Sequence, residues 1–303
     1  MGYAVEPVTY RDALRVAVSN LPRPVRFRAE NAFAGFDRAR RLLEIDREMA
    51  SFRAITAEEE AAAALFRSLQ LQGYPGADKL SLREHRQKAA LGPFIQAVKV
   101  AIADKHTFNL QMTLNWKKPE ITVRLPLSEL GVHFEGSEEM TLQMVEPLGN
   151  LAVKGNGHPA DFFDDGIKKV VEGSGYKALD RLISREANLR NTVLYASDTG
   201  LPVSKLTEAG IAARQHRAEI ALGLCVAILQ TPNHQSLAKQ ALQAFLRSVG
   251  RPADELFEYG ERPVEVDIRL KEDGPSDVIF TRAIEPPPQS PEGPDCREPC
   301  RER

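Results

Sequence analysis

Residues 55–88 read ITAEEEAAAALFRSLQLQGYPGADKLSLREHRQK, and the rest of the chain is best understood outward from them. Three acids, Glu58, Glu59 and Glu60, lead into an alanine-rich run with helical periodicity. Gly73, Pro75 and Gly76 mark a turn, and a second helix carrying His85 and Lys88 follows. Two helices joined by a turn pack against each other, so the acids of one can face the His and Lys of the next. The first helix is expected over 56–71. Thr56 is a good N-cap and Glu59 completes a capping box, which alone accounts for acids in a first turn. Glu60 is expected on the packing face with Ala57, Ala61, Ala64 and Leu65, where a buried carboxylate needs a partner. His85 and Lys88 would supply one. The second helix is expected to follow the N-cap Ser81, with Glu84 at the capping-box position and a kink or break at Gly92-Pro93.

Upstream, residues 1–28 read as an irregular segment broken by Pro22 and Pro24, and 30–49 as a helix with Phe33, Phe36 and Leu43 on its apolar face. Between Arg23 and Arg53 there are eight arginines against five acids. That excess fits a solvated face laced with pairs such as Asp37–Arg41, or a modest anion-facing patch. Downstream the period changes from helical to alternating. Residues 107–115 and 120–127 read as a hairpin with Trp116 at its turn, and 141–145 as a third strand. Helical patterns resume over 159–172, 176–191, 204–229 and 235–248, and 264–270 and 278–283 are strand-like.

The expected fold is α+β, mainly α: a helical bundle interrupted by a small antiparallel β-rich insertion. Its parts are a first helical part over 29–105, the insertion over 106–158, a second helical part over 159–250, C-terminal strands over 251–284, and a Pro-rich tail over 285–303 expected to be disordered.

Composition narrows the class. With 43% hydrophobic and 27% charged residues and a net charge of −2, the chain has enough apolar material for a sizeable core, and no global basicity points to nucleic acid. No apolar run approaches the ~18 residues that would span a bilayer. No secretory signal pattern opens the sequence, so a cytoplasmic protein without membrane contact is expected. Cys225 lies in an apolar helical run and reads as a buried hydrophobe. Cys296 and Cys300 form a C-x3-C pair, which is too few ligands for a zinc site. His216 and Glu219 share a helix face like half of a di-metal pattern, but no matching E-x-x-H exists. Neither metal nor cofactor is expected.

Glu59-Glu60, then His85-Arg86-Gln87-Lys88, then Arg190-Asn191-Thr192-Val193-Leu194-Tyr195 with Asp198, Gly200 and Pro202 behind it, together resemble the AbiV family of abortive-infection proteins, within the HEPN-like helical class. The likeness spans roughly 30–103 and 160–230. It implies a phage-defence protein that acts by binding a protein or RNA partner, or by pairing as a homodimer, with Glu59, Glu60, His85, Lys88, Arg190 and Tyr195 as site residues. Where the family favours a Lys after the acids, Ala63 stands here. Ribonucleases of the class carry R-x4–6-H on one helix. Here Arg83 stands two residues before His85, and no His follows Arg190, so binding is expected ahead of turnover. Two alternatives stay open. One is a metal-independent ribonuclease, in which Arg190 or Lys88 faces phosphate charge while His85, its tautomer fixed by a Glu, moves a proton. The other is a scaffolding protein in which the same groups form a structural ion-pair network.

Overall fold

The structure is a computed structural model that describes residues 9–105, 111–126, 141–144, 146–148, 159–196, 198, 200–251, 265–269 and 277–281. The described residues are mainly helical, with small antiparallel sheets, so the expected class is the observed one. The expected Pro-rich tail, Cys296 and Cys300 lie outside the described residues.

The N-terminal part is more helical than its prolines suggested. Helix α1 spans Tyr10–Ser19, started by Thr9, whose side chain accepts from the Asp12 amide. Helix α2 spans Arg23–Leu42. Pro22 and Pro24 therefore begin a helix instead of breaking one, since a proline in the first turn loses no intrahelical hydrogen bond. The expected continuous helix over 30–49 is also corrected. It ends after Leu42, and Asp46 caps a new one by accepting from the Met49 amide at 2.8 Å.

That new helix, α3, spans Arg47–Leu71 and is the centre of the molecule. It packs most extensively on α2 and on α7 (Glu208–Leu229). Ala50, Ala54, Ala57, Ala61, Ala62, Ala63 and Ala64 are all buried, as befits a helix covered on nearly every side. Small side chains let neighbours come close: a Cβ on Gly35 of α2 would stand 2.7 Å from the Ala57 Cβ. Thr56 is thus no N-cap. It lies ten residues into the sequence counted from Asp46, and its hydroxyl donates back to the Phe52 and Arg53 carbonyls. The three glutamates stand mid-helix, where the helix dipole gives them no support.

Helix α4 spans His85–Lys105 without interruption, with Pro93 inside it, so the expected break at Gly92-Pro93 is absent. α5 (Asp164–Gly173) and α6 (Leu179–Thr192) lie against α4, and α8 (Ser236–Ser248) closes the bundle. Phe66, Phe94, Phe163 and Phe245 form a chain of ring contacts, with centroids 5.3–6.1 Å apart, that joins α3, α4, α8 and the turn before α5. Among the described residues no helix is long and apolar enough to cross a membrane.

The β-rich insertion is a three-stranded antiparallel sheet in the order β1 (Gln111–Asn115), β2 (Glu120–Pro126), β3 (Thr141–Met144). Asn115 makes the hairpin turn by accepting from the Lys117 and Lys118 amides, and half-buried Trp116 lies against the Lys117 ammonium. Ile121 and Val123 point into the bundle while Arg124 is exposed, the alternation read in the sequence. Gln230, just past α7, accepts from the Ile121 amide and donates to the Ile121 carbonyl. The described β2–β3 ladder runs from Val123–Met144 to Pro126–Thr141, and this side-chain amide serves the Ile121 backbone beyond its end. β4 (Glu265–Arg269) and β5 (Asp277–Thr281) pair with each other, antiparallel.

Candidate functional site

Residues 72–84 set the direction in which α4 enters the bundle. Gly73 and Gly76 adopt positive φ, which a side chain would strain. Two glutamine amides then fasten the loop's backbone. Gln70 donates to the Ala77 and Leu80 carbonyls, and buried Gln87 accepts from the Ser81 amide and donates to the Lys79 carbonyl. Ser81 accepts from the Glu84 amide, so the expected capping turn forms, one turn ahead of the helix. The first turn of α4 is thereby held with His85 and Lys88 facing α3.

Glu59 meets them there. Its side chain is only 7% exposed, and its Oε2 lies 2.7 Å from His85 Nδ1 and 3.4 Å from Lys88 Nζ. Lys88 is equally buried; His85 is 47% exposed. A carboxylate on Nδ1 makes that nitrogen the donor. Arg190 of α6 approaches from the other side, with one terminal nitrogen 2.7 Å from Nε2 and 3.0 Å from Nδ1. The two lone-pair directions of an imidazole diverge, so one nitrogen this near to both sits over the ring face. Arg190 also lies over the Phe52 ring, 5.6 Å from its centroid. Glu59, His85, Lys88 and Arg190 are therefore one cluster. Within it Glu59 Oε1 and Arg190 Nε are buried and lack hydrogen-bond partners.

Two of the expected site residues are not in it. Glu60 is half-buried; in a helix packed all round, the residue after Glu59 lies about a hundred degrees round the axis and faces a different neighbour. Tyr195 lies beyond the end of α6 and is 66% exposed.

His85 and Arg190 open onto a cleft of about 380 Å³, whose wall also includes Arg86, Ser184, Asn188 and Asn191. Arg86 is paired with exposed Asp180. The wall thus combines two guanidiniums, the His85 ring and the amide and hydroxyl groups of α6.

Glu58, the residue before Glu59, has a separate network that the sequence reading passed over. Its Oε1 accepts from Arg217 Nε at 2.6 Å and its Oε2 from Arg217 and Arg214; Arg214 also donates to Glu186 of α6 at 3.3 Å. Burial pushes the Glu58 carboxyl up, but the two guanidiniums outweigh it and hold the carboxyl below the ordinary range. Arg214 is correspondingly raised, as Glu58 and Glu186 outweigh its burial. The glycine at 92 makes room: a Cβ there would stand 2.6 Å from Glu58 Oε1 and 3.0 Å from Arg217 Nε. The available signal was two arginines three apart, a spacing that puts both on one face of a helix and lets them reach a single carboxylate.

Other groups are accounted for locally. Glu219 accepts from Arg11 and Gln215, and His216 lies 3.4 Å from Lys99, so this pair serves helix packing. Among the described residues no three His, Cys, Asp or Glu side chains are placed to hold a metal ion. Cys225 is buried and donates to the Ala221 carbonyl, and burial pushes its thiol up to about 12, far from a reactive thiolate. Compared with protein-family models, with curated proteins and with solved structures, the chain matches none.

Proposed function

We propose that the protein is a defence-type RNA-binding protein of the HEPN-like helical class, and that its cleft takes an RNA phosphate on Arg190, Arg86 and the His85 edge. The observation that carries this is a charge imbalance facing a cleft. One buried carboxylate, Glu59, is surrounded by Lys88 and Arg190 with His85 between them, so the cluster carries excess positive charge even with a neutral imidazole. An anion in the cleft would balance it, and planar guanidiniums suit phosphate oxygens. The abortive-infection role rests on the sequence resemblance alone.

Fluorescence polarisation with a labelled RNA oligonucleotide tests the binding. Arg190→Ala should weaken affinity by roughly tenfold, the worth of one hydrogen bond to a charged group, and binding should fall steeply with salt. Lys118→Ala, on an exposed pair with Glu120 at the hairpin turn, should leave it unchanged. Wild-type protein without RNA affinity at low salt overturns the proposal.

A second reading, metal-independent RNA cleavage, is favoured by one specific feature: Nδ1 is held by Glu59 while the ring edge faces the cleft. Nε2 could then take the proton of a ribose 2′-hydroxyl while Arg190 faces the developing phosphate charge. RNA cleavage that persists in EDTA, and that falls at least ~100-fold in a folded His85→Ala variant, would establish this reading over simple binding.

A further inference from the structure

We infer that Glu186 is a positioning residue: through Arg214 and Glu58 it sets α6 on the bundle so that Arg190 lies over His85. Glu186 and Arg190 are four apart on α6 and share a face. Glu58 and Glu59 are neighbours on α3. The two helices are therefore joined twice, one turn apart on α6, by Glu58–Arg214–Glu186 and by Glu59–His85–Arg190. The first bridge is made of largely buried side chains, 13%, 17% and 22% exposed, while the His85 side of the second is open to solvent.

The buried apolar residues within α6 are gathered toward one end, and the ionic bridge lies toward the other. Only Leu182 and Ile183 of its fourteen residues are buried, and both lie toward its N-terminal half. Arg190 is two turns further on. At that end the apolar contacts are buried Val193, just past the helix, and the Phe52 ring beneath the guanidinium itself; Glu186, one turn back, adds an ionic hold on an arginine that Glu58 also binds. Gly92 of α4 adjoins the same Glu58, since a Cβ there would crowd the Glu58 and Arg217 side-chain ends. The proposal does not depend on what the cleft binds; its second readout below rests on the RNA reading.

The test reads the His85 ring directly. In a 1H–13C spectrum of the imidazole carbons, with the His85 signal assigned by its loss in His85→Ala, Arg190→Ala should move that signal. Glu186→Gln, which keeps the size of the side chain and removes its charge, should move it in the same direction, with a drop in melting temperature smaller than that of Glu58→Ala because Arg214 keeps its bond to Glu58. Glu186→Asp should fall between wild type and Glu186→Gln. A purely structural role would change the melting temperature and leave the ring signal in place. The inference is overturned if Arg190→Ala shifts the signal and Glu186→Gln does not, if Arg190→Ala itself has no effect, or if both Glu186 variants fail to fold. RNA affinity of Glu186→Gln should drop by about threefold or more, the size of a coupling carried through one network. If the wild type binds no RNA, the cleft reading fails and the ring signal still decides the role of Glu186.

Discussion

Glu58 and Glu59 are consecutive residues of one helix with opposite fates. Glu58 is enclosed by Arg214 and Arg217, with Glu186 balancing the second positive charge, so its network closes on itself as two acids and two bases. Glu59 faces Lys88, His85 and Arg190, keeps one oxygen without a partner, and its network ends at a cleft. The difference comes from which neighbours a helix presents a hundred degrees apart, and it shows how to tell a structural ion cluster from a candidate site. A balanced and sealed network has nothing left to offer a ligand; an unbalanced one that opens to solvent does.

The comparison breaks most visibly at Glu58. Glu58→Ala leaves two largely buried guanidiniums unpaired and should cost about 3–5 kcal/mol of stability in denaturant unfolding. The same carboxyl makes stability depend on pH. Its folded-state pKa lies below the unfolded value, so the ionised form stabilises the fold at neutral pH, and that contribution disappears as pH falls through the folded-state value. The melting temperatures of wild type and Glu58→Gln should therefore converge as pH is lowered from about 6 to about 3; a constant gap would show that Glu58 acts through shape alone. Gly92→Ala approaches the same node sterically and should cost about 1–3 kcal/mol, as overpacking does. Its loss should be smaller in the Glu58→Ala background, which removes the clashing oxygen; additive losses would place the strain elsewhere.

On the open side the effects are smaller. His85→Ala leaves Glu59 with Lys88 still beside it, so about 1–2 kcal/mol is expected from calorimetry. A loss as large as that of Glu58→Ala would make the two networks equivalent and the contrast between them void. Arg251→Ala removes a surface pair with Glu84, both half-exposed, and should change stability by less than about 1 kcal/mol.

Much of this was legible where the signal is local. The four later helices lie within a few residues of their expected spans because their apolar stripes and turns are adjacent in sequence. Glu59 and His85 are 26 residues apart on successive helices, near enough for a turn to bring them together on paper. Thr56 misled because Thr-x-x-Glu satisfies a capping pattern wherever it occurs, and the true cap, Asp46, lies inside what looked like a continuous helical pattern. Glu60 misled for the same reason: with the helix start misplaced, the packing face was drawn on too few neighbours, and the exact residue that turns inward was off by one. Glu58 meets Arg214 across 156 residues, a pairing set by how α3 and α7 cross and by nothing in either segment alone.

The Gln230 side chain has a consequence for how the insertion moves. It takes both backbone groups of Ile121, so the amide proton at 121 is protected by a side chain at the end of α7 and not by a strand. Its exchange with solvent then reports the sheet lifting away from the bundle, even while the β1–β2 ladder remains intact. If the insertion opens as a unit, the Ile121 amide should exchange faster than its ladder neighbours by the free energy of that lifting. In Gln230→Ala it should exchange as an open strand edge does, which makes one proton a gauge of whether the two halves of the molecule breathe separately.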